Sequence, residues 1–111
     1  MTLFAAAMKI TGLSQRELCD IMDVRIDTVK GWCSGRNNPP NGAWDVLRGV
    51  YAMQVKSSEE ALDLIDEKSP TQLSLNEFGP RGKEWPSEGA HKAALAMVAL
   101  AVDIQIAKTE S

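Results

Sequence analysis

Over the first half of the chain, apolar side chains recur at intervals of three and four. Leu3, Phe4, Ala6, Ala7, Met8 and Ile10 crowd one short window, which predicts a first helix over residues 3–10. Gly12 stands where a helix commonly ends in the left-handed region. Ser14 opens a second helix, and Glu17 lies three residues on, the spacing of a capping box. Leu18, Ile21 and Met22 give that helix its apolar face. Asp23-Val24-Arg25 interrupts the period after about two turns. A third helix is predicted over Ile26–Ser34, with Val29 and Trp32 one turn apart and Gly35 after its end. Arg36-Asn37-Asn38-Pro39-Pro40 reads as loop.

Further on, Trp44, Leu47, Val50 and Tyr51 keep helical spacing and predict a fourth helix from Asn41 to Val55. Ser57 and Glu60 repeat the capping-box spacing before a fifth helix over Ser58–Lys68, which Ser69-Pro70 stops. Thr71–Phe78 alternates, with Leu73 and Leu75 set against Gln72 and Ser74, and predicts a short strand. Gly79–Pro86 is loop, Pro86 and Ser87 shape a helix start, and a last helix spans about Ser87–Lys108. Within it, Ala93–Val102 is apolar on every face. The expected fold class is all-α: a five-helix domain over residues 1–56, then an extension over residues 57–111 with a short strand and a long apolar helix.

Two short helices joined by a three-residue turn have a specific use. The first lies across a DNA backbone and the second enters the major groove. Leu18, Ile21, Val24, Val29 and Trp32 are spaced to bury a shared seam between them. The faces carrying Gln15, Arg16, Asp27 and Lys30 are left for solvent or DNA. In Leu13-Ser14-Gln15, Glu17-Leu18, Val24, Thr28-Val29, Trp32, Ser34-Gly35-Arg36 and Pro39-Pro40, the chain resembles the lambda-repressor/Cro-like (XRE-type) family of helix-turn-helix DNA-binding domains. The resemblance covers residues 5–55. It implies a compact five-helix DNA-binding domain, used as a dimer on a pseudo-palindromic operator. It also implies that Gln15 hydrogen-bonds a backbone phosphate. Three residues depart from the pattern: Asp23 stands where Gly is usual in the turn, Arg25 where Ser or Thr caps the recognition helix, and Cys33 where Glu is common.

On this reading Arg25, Ile26, Asp27 and Lys30 lie along the exposed side of the recognition helix and face base edges. Arg25 or Lys30 suits guanine acceptors, Asp27 can accept from cytosine N4, and Ile26 can pack on a thymine methyl. Asp27 stands equally as a partner of its own helix's N-terminal dipole. Arg36 and Asn37 are placed for phosphates, which position rather than specify. Trp32 and Trp44, at helical spacing with Val29 and Leu47, are assigned to the core.

Charge first argues the other way. With 12 Lys and Arg against 15 Asp and Glu, the net charge is −3. Residues 1–56 hold seven cations and five anions, whereas residues 57–111 hold five and ten. A mildly basic head thus carries an acidic tail, and only the head needs to meet DNA.

Other classes drop away. The apolar run Ala93–Val102 is too short to cross a bilayer, which takes about 20 residues. No basic region precedes the apolar start, so no signal peptide is read. Two cysteines, Cys19 and Cys33, make no disulfide framework, and a cytoplasmic setting is expected. Cys19 falls on an inward position and reads as a small buried hydrophobe; a Cys19–Cys33 redox pair is the other reading. His91 is the only histidine, so no metal site is expected. No nucleophile–base pair or phosphate-binding loop suggests an enzyme, and no cofactor is expected.

The all-round apolar helix needs burial. A second copy of the same helix would provide it, giving a homodimer, while packing on its own domain is the simpler alternative. Two functions stand at this point. One is a sequence-specific regulator, such as a repressor of its own operon or of prophage-like genes, bound to an inverted repeat. The other is a protein–protein adaptor, such as an antitoxin or phage-associated modulator, using the helix-turn-helix as scaffold.

Overall fold

A computed structural model describes residues 1–68 and 85–101, and the backbone of 72–73 and 105–106. Among these residues the architecture is all-α, with five helices. Helix α1 runs Leu3–Thr11, α2 Gln15–Met22, α3 Ile26–Ser34, α4 Asn41–Lys68 and α5 Glu88–Ala101.

The first three helices begin and end where local chemistry dictates. Thr2 caps α1: its Oγ1 accepts from the Ala5 amide at 3.1 Å and donates to the Cys33 carbonyl at 2.7 Å. One hydroxyl therefore starts α1 and ties it to the end of α3. Gly12 closes α1 at φ 72°. The Ser14/Glu17 capping box forms in both directions, at 3.0 Å and 2.9 Å. Asp23 closes α2 in the left-handed region, at φ 54° and ψ 49°. Among the described residues it is the one non-glycine with positive φ.

The core gathers around Phe4, whose ring meets Trp32 edge-on at 6.0 Å and Trp44 edge-on at 5.0 Å. Such pairs add about 0.5–1.5 kcal/mol each beyond the area they bury. Met8, Leu13, Leu18, Val29, Leu47 and Val50 fill the space around it. Of the expected α2–α3 seam, Leu18, Val29 and Trp32 are buried and Val24 is half buried. Ile21, expected inside, is 46% exposed; Cys19 takes its place in the core. A two-turn helix has room for only one narrow buried stripe, and Leu18 and Cys19 occupy it. Tyr51, also expected to face inward, is half exposed.

The second half differs more from its pattern. The fourth and fifth helices are one 28-residue helix. The Ser57/Glu60 spacing opens no new helix. Ser57 and Ser58 are buried mid-helix, and Ser58 Oγ donates to the Val55 carbonyl at 2.9 Å. A serine hydroxyl turned back on its own helix satisfies itself there, and no Gly or Pro intervenes to break the backbone ladder. The last helix ends as described at Ala101, short of the expected Lys108, because Gln105–Ile106 are extended. They pair in parallel with Gln72–Leu73, as β2 with β1. The alternating strand expected over Thr71–Phe78 is described only at those two residues. Its remainder, and the loop from Gly79 to Glu84, lie outside the described residues.

Helix α5 packs on α4 and α1 of its own chain. Trp85, Ala90 and Ala94 belong to the same buried cluster as Phe4 and Leu18, so one core spans residue 56. Ala61, Ile65 and Val98 form a second cluster farther along the α4–α5 seam. Only one stripe of α5 is covered, and Leu100 is 89% exposed. Its start is fixed by Ser87, whose Oγ accepts from the Ala90 amide at 2.9 Å. Two glycines allow the approach to α1. A Cβ built on Gly12 would overlap the Gly89 carbonyl, and one built on Gly89 would overlap the Gly12 carbonyl. Gln54, fully buried, bridges the same junction: its Nε2 donates to the Thr11 carbonyl at 2.9 Å and to the Ala90 carbonyl at 3.1 Å.

Candidate nucleic-acid interface

Helix α3 presents its polar face because Val29 and Trp32 commit the opposite face to the core. Asp27 and Lys30 are exposed on it, and Arg25 is exposed just before its first turn. Arg25 occupies the N-cap position with no side-chain cap bond. The first turn of α3 therefore lacks the hydroxyl acceptor that Ser or Thr would supply, worth about 1 kcal/mol.

The following loop folds back over the helix. Arg36 Nη2 donates to the Asp27 carbonyl at 3.2 Å, and the Asn37 amide donates to the Gly31 carbonyl at 3.1 Å. Gly31 leaves room for the two side chains to lie close to the helix. A Cβ there would lie 2.9 Å from Asn37 Nδ2 and 3.0 Å from Arg36 Nη2. Arg36 and Asn37 thus lie across α3 at one glycine, beside Asp27, and the loop and helix form a single polar surface. The signal for Gly31 was in the chain, since a mid-helix glycine that ends nothing costs about 1 kcal/mol relative to alanine and calls for a packing reason.

Gln15 is half buried and Arg16 exposed, both in the first turn of α2. Neither forms a hydrogen bond or ion pair with the α3 group among the described residues. Ile26 is half buried and packs against the core, so it presents less apolar surface than its place in the sequence suggested. Among the described residues, Arg16, Arg25 and Lys30 form no ion pair. The ion pairs described are Arg48–Asp45 and Lys92–Glu88, both at the surface.

Both cysteines are free, Cys19 buried and Cys33 half buried. Burial pushes the Cys19 thiol up, and the Asp20 carboxylate beside it adds to the shift. Both effects disfavour the reactive thiolate. His91 stacks on buried Trp85 at 5.4 Å, and its buried Nε2 has no hydrogen-bond partner among the described residues. Among the described residues, no cluster of His, Cys, Asp or Glu is arranged to hold a metal ion, and no helix is long and apolar enough to cross a membrane.

Compared with protein-family models, with curated proteins and with solved structures, the chain has no match.

Proposed function

We propose that the chain is a sequence-specific, double-stranded DNA-binding regulator of the helix-turn-helix type. The observation that carries this reading is the α2–turn–α3 unit with its folded-back loop. A helix capped at both ends leads through a left-handed Asp23 into a helix whose outer face holds Arg25, Asp27 and Lys30, with Arg36 and Asn37 laid across it. Cations without carboxylate partners on a convex helix are suited to a polyanion. Lys30 and Arg25 address guanine edges and Asp27 a cytosine amine. Gln15, Arg16, Arg36 and Asn37 hold phosphates.

The regulator acts as a homodimer, because one α3 spans too few base pairs to specify a site. Exposed Leu100 and part-exposed Leu64 mark the apolar remainder of α5 and α4 that a second copy covers. Selection from a random duplex pool tests both statements. The expected product is an inverted repeat with half-sites about one helical turn apart. An unenriched pool rejects the DNA reading, and a single half-site rejects the dimer alone.

A further inference from the structure

Helix α4 begins on an asparagine followed by a glycine, Asn41-Gly42, and both residues are exposed. Of the four asparagines in the chain, only Asn41 precedes a glycine. Asn38 precedes Pro39, whose nitrogen carries no hydrogen. Asn37 and Asn76 precede residues with a β-carbon, which hinders attack by the adjoining nitrogen.

At Asn41 both groups needed for an internal reaction are free. Among the described residues, no hydrogen bond engages the Asn41 side-chain amide. The Gly42 N–H has no backbone acceptor, because the first bonds of α4 run from the Ala43 and Trp44 amides to the Pro40 carbonyl. Amides at the start of a helix lack the partner four residues back. Space around Gly42 is open: the nearest atom to an added Cβ is Met22 Cε, at 3.8 Å. A regular helix does not aim this nitrogen at the side chain before it. Asn41 is the terminal residue, however, and helix ends fray at little cost.

We propose that Asn41 is a site of spontaneous covalent modification, with water as the co-reactant. The Gly42 nitrogen loses its proton to hydroxide and attacks Cγ of Asn41. The new N–C bond closes a succinimide ring, and the side-chain nitrogen leaves as ammonia, taking a proton from water. A second water opens the ring at either carbonyl, giving aspartate or isoaspartate. Each event replaces one amide by one carboxylate, in a first turn that holds no acidic residue. Isoaspartate also routes the backbone through Cβ at the start of α4. The proposal is independent of the DNA reading.

The full chain is incubated at mildly alkaline pH in heavy-oxygen water, folded or in urea, and mapped by peptide mass spectrometry. Conversion should concentrate at residue 41, with one heavy oxygen incorporated and both isomers present. Because a helix end opens at little cost, the folded chain should convert within about ten-fold of the unfolded one. Gly42→Ala should suppress conversion in both states. Its methyl meets only an ordinary contact with Met22, so the variant retains the fold, which circular dichroism reports. A folded chain that lags the unfolded one by more than this margin would overturn the proposal. So would conversion at Asn37 or Asn38 that matches Asn41, or a Gly42→Ala variant that converts as fast as the wild type.

Discussion

Alanine at position 89 sets two effects of opposite sign against each other. In a helix, Gly→Ala stabilises by about 0.5–1 kcal/mol, since glycine loses more backbone freedom on folding. At Gly89, however, the added methyl overlaps the Gly12 carbonyl, which is backbone at the end of α1 and cannot rotate aside. Forcing a methyl into packed structure costs about 1–3 kcal/mol. If α5 lifts instead, the Gln54 bond to the Ala90 carbonyl stretches, a further loss of about 0.5–1.5 kcal/mol. The steric terms win, and Gly89→Ala is expected to lose about 1–3 kcal/mol net. Gly49 is the control: it also sits in a helix, and a Cβ there meets nothing within 4 Å. Gly49→Ala should therefore gain about 0.5–1 kcal/mol. Urea unfolding followed by tryptophan fluorescence measures both, with equal m-values required for the comparison. If Gly89→Ala proved as stable as the wild type or more so, α5 would not be docked on α1 as described.

Three other substitutions have definite expectations. Asp23→Gly should stabilise by about 0.5–1 kcal/mol in thermal unfolding, because it relieves a left-handed backbone at φ 54°; a loss of stability would contradict that geometry. Arg25→Ser should gain about 1 kcal/mol by capping α3, yet weaken DNA binding by removing a cation, so the two properties should move in opposite directions in parallel melting and binding assays. Gly31→Ala should shift the side-chain ends of Arg36 and Asn37 on α3 and weaken DNA binding less than Arg36→Ala does. The double variant, measured by fluorescence anisotropy, should be no worse than Arg36→Ala alone, since the alanine at 31 acts only by moving the Arg36 guanidinium.

Much of the fold is legible in the chain where local chemistry decides it. Thr11-Gly12, Ser14/Glu17 and Ser34-Gly35 each fix a helix end through backbone geometry or a hydrogen bond within three residues, and α1 to α3 lie within a residue of their expected bounds. The long α4 was hidden because a serine pair can start a helix or sit inside one. Burial of Ser57 and Ser58 against the rest of the protein chooses the second, and burial is a tertiary property. The seating of α5 was hidden for the same reason. Its alanines fit a partner copy or its own core equally well, and Gly12 meeting Gly89 is a contact between residues 77 apart in sequence. Gln54 carried a readable sign, a lone amide at helical spacing from Val50 and Ala61, though not the identity of the carbonyls it joins. At the candidate interface, the exposed residues of α3 follow from its apolar stripe. The closure of Arg36 over Gly31 does not, because it depends on the path of the loop.

The central claim is that the face of α3 reads DNA, and salt-dependent binding tests it most directly. A selected duplex and a scrambled control are titrated by fluorescence anisotropy at 50 and 200 mM salt, with wild type and Lys30→Ala. If the proposed reading holds, Arg16 and Arg36 from two subunits neutralise about four phosphates, which gives a log–log slope near −3.6 and about a hundred-fold loss between the two salts. Lys30→Ala should lower affinity for the selected duplex by about 10- to 100-fold, erase most of its advantage over the scrambled one, and leave the slope unchanged, as expected of a base contact. Contradiction would be Lys30→Ala binding that matches the wild type in affinity and preference, or wild-type binding equally strong on both duplexes.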